Sequence, residues 1–149
     1  MKWCALPVLV VGLLLAADKP KDDAVKKEMK KLEGTWKVVS LEMNGNKFTE
    51  EQLNAVKKMV IKGNKYTIHL ADNEVTMTFK VDPSKKPKTI DSTYEDQNGD
   101  TVKSKGIYEL KGDSLKVCRT TKTDAKRPTK FASKADSGLI LVVYKRAKS

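Results

Sequence analysis

One pattern recurs through the middle of this chain: a short run alternates apolar and polar residues, and a pair of turn-forming residues then stops it. Val75, Met77, Phe79 and Val81 alternate with Thr76, Thr78 and Lys80. This is the period of a strand with one buried and one wetted face. Tyr66, Ile68 and Leu70 repeat the pattern, as do Ile90, Ser92 and Tyr94, with weaker versions at 59–62, 105–110 and 115–119. Gly63-Asn64, Asp72-Asn73, Asp82-Pro83, Asn98-Gly99 and Gly112-Asp113 punctuate these runs, and such pairs favour tight turns. A nearly continuous apolar run at 139–146 ends the series. About eight strands joined mainly by short turns predict a sandwich or a barrel, and hairpins without long crossovers favour an antiparallel up-and-down barrel.

A closed barrel has to bend its strands, and the first strand carries a signal for that. In Gly34-Thr35-Trp36-Lys37-Val38-Val39-Ser40-Leu41-Glu42-Met43, Trp36 and Val38 share one face, while Val39, Leu41 and Met43 share the other. The apolar phase switches between Val38 and Val39, which predicts a bulge or sharp bend. Thr49-Glu50-Glu51-Gln52 fits a capping box, and Leu53 and Val56 follow at helical spacing. One or two helical turns between the first two strands are expected, bordering the barrel mouth. Upstream, Val25, Met29 and Leu32 also recur at helical spacing, with Asp22 or Asp23 as cap and Gly34 as stop. They predict a short amphipathic helix against one end of the domain; the competing reading is a lysine-rich leader without fixed structure.

The 149 residues suit one domain. Residues 1–17 read as a secretory signal peptide, with Lys2 as the positive start, an apolar run from Ala5 to Leu15, and Ala16-Ala17 for cleavage. The run is short for a membrane span, which needs about 20 apolar residues. An uncleaved N-terminal anchor is the competing reading, and no transmembrane segment is expected after cleavage. Cys4 sits too early in the run for a lipid anchor. The chain therefore divides into residues 1–17 as signal, 18–31 as a charged segment or short helix, and 32–149 as the barrel domain. Export places it in the periplasm, the cell envelope or the medium. Cleavage removes Lys2, which lowers the formal charge from +11 to +10, and leaves Cys118 as the sole cysteine. No internal disulfide can then form, and Cys118 is expected to be a buried packing residue.

Gly34-Thr35-Trp36, following a short helix, resembles the Gly-x-Trp motif on the first strand of lipocalins. In that family the tryptophan closes the base of the barrel beneath an arginine from near the last strand. The resemblance implies a structural closure by Gly34, Trp36 and Arg146, with a cation–π contact between the last two. A wider resemblance runs through Leu32-Glu33-Gly34-Thr35-Trp36-Lys37-Val38-Val39-Ser40 and through Ile107-Tyr108-Glu109-Leu110-Lys111-Gly112-Asp113-Ser114-Leu115-Lys116-Val117-Cys118. It continues in Arg127-Pro128-Thr129-Lys130-Phe131-Ala132-Ser133 and Val143-Tyr144-Lys145-Arg146. These segments are similar to a secreted, lipocalin-like domain family of unknown function, known mainly from planctomycete bacteria. The resemblance implies export and a lipocalin-like barrel, and it supplies no catalytic residues.

The residues themselves offer little for catalysis. His69 is the only histidine, it falls on the polar face of its run beside Thr67, and no Gly-x-Ser-x-Gly elbow exists. One histidine and one mature cysteine cannot build a structural zinc centre. Asp96-Gln97-Asn98-Gly99-Asp100 approaches a calcium loop, but its glycine is at the wrong offset and no glutamate stands at the twelfth position. It reads as a hairpin turn. Asp91 and Glu95 share the face opposite Tyr94 and read as solvated carboxylates rather than an acid–base pair. No enzyme activity, metal or cofactor is expected.

Binding is the better prospect. Lys and Arg number 30 against 19 Asp and Glu, with local patches at Lys85-Lys86-Pro87-Lys88 and Lys126-Arg127. The remaining lysines are scattered among acids, and no basic helix or aromatic RNA-binding motif appears. Weak contact with anionic surface polymers is expected, and no specific nucleic-acid recognition. Tyr66, Ile68, Met77, Phe79, Tyr94 and Tyr108 are the candidate ligand-binding lining of the barrel. An eight-stranded barrel either fills its interior with side chains or holds one small ligand. Buried tyrosine hydroxyls need polar partners, which a ligand or the protein could supply. Two functions follow. One is binding of a small apolar or amphipathic molecule inside the barrel. The other is a structural or interaction module of the cell envelope, with a filled barrel and a basic exterior. A cavity of roughly several hundred Å3 would favour the first, and a solid interior the second.

Overall fold

The structure, a computed structural model, describes residues 19–148; the expected signal segment lies outside the described residues. Helix α1 (Lys19–Leu32) leads into β1 (Gly34–Met43), followed by the two-residue arm β2 (Asn46–Lys47) and the single-turn helix α2 (Glu50–Leu53). Seven further strands follow: β3 (Val56–Lys62), β4 (Lys65–Leu70), β5 (Glu74–Asp82), β6 (Lys88–Glu95), β7 (Thr101–Lys111), β8 (Ser114–Thr120) and β9 (Leu139–Arg146). β1 and β3–β9 pair antiparallel in chain order, and β9 returns to β1 along the register Trp36↔Arg146 to Met43↔Ile140. The result is a closed, lipocalin-like barrel of eight strands, with β2 outside it as a hairpin arm on β1. No described helix is long and apolar enough to cross a membrane.

The bend in β1 is a bulge. The β1–β9 register slips between Val38 and Ser40, which leaves Val39 as the extra residue, 41% exposed. Leu41 and Met43 then rejoin Trp36 and Val38 on the core side. The phase switch in the sequence thus marks an inserted residue, not a turn of Leu41 and Met43 to the other face.

Two helix boundaries differ from those the sequence suggested. α1 begins at Lys19, so Asp22 lies in its first turn, where a carboxylate favours the helix dipole instead of capping the end. α2 has the expected capping box between Thr49 and Gln52, but it stops at Leu53 with Asn54 as its cap. Val56 belongs to β3, paired with Leu70. A β-branched residue facing the core gains more from the sheet than from a second helical turn.

The inward positions fill the barrel. Trp36, Met59, Ile61, Tyr66, Phe79, Val81, Tyr108, Leu115, Val117, Val142 and Tyr144 are buried in one cluster. The Tyr66 and Phe79 rings meet in a tilted pair with centroids 5.4 Å apart. The void left between these side chains is about 20 Å3, room for about one water.

The end of the barrel at Trp36 is closed by α1. Val25, Met29 and Leu32 pack against the core. Trp36, 0% exposed, donates its indole N–H to the Leu32 carbonyl at 2.9 Å. The Arg146 guanidinium lies over the indole, with Cζ 4.3 Å from the ring centroid. Its two terminal nitrogens donate to the carbonyls of Glu33 at 2.7 Å and Lys31 at 2.8 Å. A helix leaves its last carbonyls without internal partners, and this stack satisfies those of Lys31 and Leu32. Gly34 has a positive φ of 130°, and a Cβ there would stand 2.8 Å from Arg146 Nη1; only glycine suits the position.

Trp36→Ala should lower the unfolding free energy by about 3–5 kcal/mol. In a urea-unfolding double-mutant cycle with Arg146→Ala, the coupling energy should be about 0.5–2 kcal/mol. Additive losses would mean that the stack contributes nothing beyond packing.

Candidate binding surface

Of the six candidate lining residues, Tyr66, Met77, Phe79 and Tyr108 are buried, while Ile68 and Tyr94 are half-buried and packed against the core. The buried hydroxyls find their partners within the protein. Tyr66 Oη donates to Ser92 Oγ at 3.0 Å. Tyr108 Oη donates to Glu28 Oε1 at 3.0 Å. Glu28 comes from α1, is 4% exposed, and accepts from Lys88 Nζ at 2.8 Å as well. Burial, and then the adjacent Glu28 carboxylate, push the Tyr108 phenol far above its usual value. This cluster anchors α1 to β6 and β7. The sequence offered no signal for it, because Glu28 looks like any other residue of a charged helix.

The outer face of the barrel has a second buried layer. Ile107 and Cys118 face each other across β7 and β8 on the side away from the interior. Both are buried with Thr120, Pro128 and Ser133 beneath the segment 121–138. Cys118 Sγ donates to the Ala132 carbonyl at 3.4 Å, and burial pushes its thiol pKa up. Arg127 ties the segment to the barrel. Its Nη1 donates to the Gly106 carbonyl at 2.8 Å and reaches the Ile90 carbonyl at 3.5 Å. The same nitrogen lies 2.7 Å from Asp91 Oδ1. That is ion-pair distance, but the angle does not make a directed hydrogen bond, so the buried Oδ1 is held by charge alone. Gly106 cannot be larger, since a Cβ would come within 2.7 Å of the Cys118 carbonyl.

Between this segment and the β5–β6 loop lies an open groove of about 620 Å3. Lys85, Lys86 and Pro87 form one wall, and Arg127, Pro128 and Thr129 the other. Lys80, Asp82, Thr89 and Asp91 rise from the outward faces of β5 and β6, with Ile107 and Val25 completing the surface. Lys85 and Lys86 of one basic patch thus meet Arg127 of the other across one groove, while Lys88 is engaged by Glu28. A smaller hollow of about 260 Å3 lies beside it and shares Lys85, Lys86 and Pro87.

The other candidates are not brought together. Glu95 is exposed, four residues along β6 from Asp91. Asp82 and Asp91 stand on neighbouring strands of one wall instead of facing each other. His69 Nδ1 lies 3.2 Å from Glu74 Oε2 across the β4–β5 pair. The Asp96–Asp100 segment is a hairpin loop in which Asp96 Oδ1 accepts the N–H groups of Asn98 and Asp100, each at 2.9 Å. Among the described residues, no three His, Cys, Asp or Glu side chains cluster to hold a metal. Comparison with protein-family models, curated proteins and solved structures finds no match to this chain.

The Cys118 environment makes a direct prediction. At pH 8 the native thiol should react with a disulfide reagent at least about a hundredfold more slowly than in urea, because it is buried and held as the neutral thiol. Comparable native and denatured rates would show that the segment 121–138 opens readily.

Proposed function

We propose that this chain is an exported, non-catalytic interaction module whose filled barrel is a rigid scaffold and whose working surface is the basic groove. The partner is an anionic polymer of the cell envelope. The observation that carries this reading is the contrast in space: about 20 Å3 inside the barrel against about 620 Å3 between the two basic loops. Lys80, Lys85, Lys86 and Arg127 set four cations around that groove, against Asp82 and Asp91. Surface lysines attract polyanions through a field that salt screens. The competing reading, a small apolar or amphipathic molecule inside the barrel, requires side chains such as Phe79 or Tyr66 to leave the interior.

Binding to immobilised heparin, a generic polyanion, should be present at low salt and lost near 1 M, where the Debye length is about 3 Å. The double variant Lys85→Gln, Lys86→Gln should weaken it several-fold with an unchanged melting temperature. Unaltered binding in that variant, or binding that survives high salt, would remove the groove as the working surface. Native mass spectrometry of protein from its own host that shows a copurified small molecule would instead favour the barrel interior.

A further inference from the structure

We infer that Arg119 and Tyr144 form a site inside the barrel for a small monovalent anion, about the size of a halide. The site lies apart from the basic groove and does not depend on it. On β8, Leu115, Val117 and Arg119 share the inward face. The alternation that fills the core therefore also carries one arginine toward it. Gly106 is the neighbour of Arg119 on β7, and a Cβ there would come within 2.8 Å of Arg119 Cβ. The absent side chain leaves the arginine stem its room at the barrel wall.

A guanidinium carries donors only and keeps its charge at any ordinary pH. Arg119 is half-buried, yet among the described residues its side chain has neither a carboxylate partner nor a hydrogen bond. The void it borders, about 20 Å3, is lined otherwise by apolar side chains and by Tyr66, Tyr108 and Tyr144. Glu28, which holds the Tyr108 hydroxyl, already has Lys88 as its cation. Charge drawn away from water is tolerated best when paired, and the lining offers Arg119 no anion.

Tyr144 is the second, independent observation. It is 7% exposed, and its hydroxyl has no hydrogen-bond partner among the described residues, although buried phenols ordinarily find one. The hydroxyl is not sealed by protein atoms, and the space that Tyr144 borders is the void. Burial pushes this phenol above its usual value, and the nearby Arg119 charge opposes the rise. A cation and an idle O–H thus border one small space. An anion there accepts from both. Water fits the same volume but leaves the charge unpaired. Phosphate, sulfate and organic carboxylates are too large for it.

The deciding measurement is anomalous diffraction from crystals of the protein soaked in bromide. A peak should lie in the void, within hydrogen-bond distance of Arg119 and of Tyr144 Oη. A water there, or bromide confined to surface lysines, would overturn the inference. In solution, bromide should replace gluconate at equal ionic strength, gluconate being too large to enter. The melting temperature should then rise saturably, by about 4 °C at tenfold over the Kd; no rise would overturn the site. Tyr144→Phe keeps the ring and should weaken bromide about fivefold, the worth of roughly one hydrogen bond. Arg119→Met should abolish the bromide response, whereas the double variant Lys85→Gln, Lys86→Gln should keep it. A response retained in Arg119→Met, or lost in the lysine variant, would move the anion to the exterior. Should Arg119→Met fail to fold, an unchanged bromide affinity in Tyr144→Phe would overturn the site by itself.

Discussion

The stack of Arg146 on Trp36 is the contact on which the rest of the architecture depends. It joins the last strand to the first, so it seals the cylinder, and the same guanidinium caps the carbonyls at the end of α1. Three tasks converge on one side chain because the helix ends where the strand begins, with only Glu33 between them. The indole covers one face of the guanidinium, so the ring contact adds to the hydrogen bonds that the partly exposed arginine makes. Gly34 is the steric condition for that approach.

With one end sealed in this way, the interior becomes a protein core instead of a vessel. Aromatic residues bring large volumes inward, and the hydroxyls of Tyr66 and Tyr108 are answered by Ser92 and by Glu28 of the plugging helix. A buried carboxylate is tolerable only with partners, and Lys88 with Tyr108 provides them. Lys88 also ends the β5–β6 loop, and Val25 of the same helix reaches the groove. The docking of α1 and the shape of the basic groove are therefore parts of one construction.

Much of this fold was legible in the chain because strand alternation is a local signal. Val75–Val81 alternates cleanly and is a strand, and the turn pairs fall at hairpins. The phase change at Val39 marked the bulge, and the capping box at Thr49 marked α2. Signals that depend on a partner far along the chain were weaker. Val56 sits at helical spacing from Leu53, yet it pairs with Leu70. Ile107 and Cys118 lie on what the alternation makes a solvent face, and they are buried only because the polar-looking segment 121–138 folds over them.

By itself the sequence determined the approximate strand count and the antiparallel order, because both follow from the period of hydrophobicity and from short turns; that the two ends meet was implied only by the resemblance of Gly34-Thr35-Trp36 to a known motif. Tertiary structure alone decided how the inside and the outside are used. Whether inward tyrosines surround a ligand or a core depends on side-chain volumes summed over eight strands, and no local window contains that sum. The encounter of Lys85 and Lys86 with Arg127 is likewise a consequence of where Arg127 reaches Asp91 and the Gly106 carbonyl. Residues some forty positions apart become the two walls of one groove only when the segment 121–138 folds back over β6 and β7.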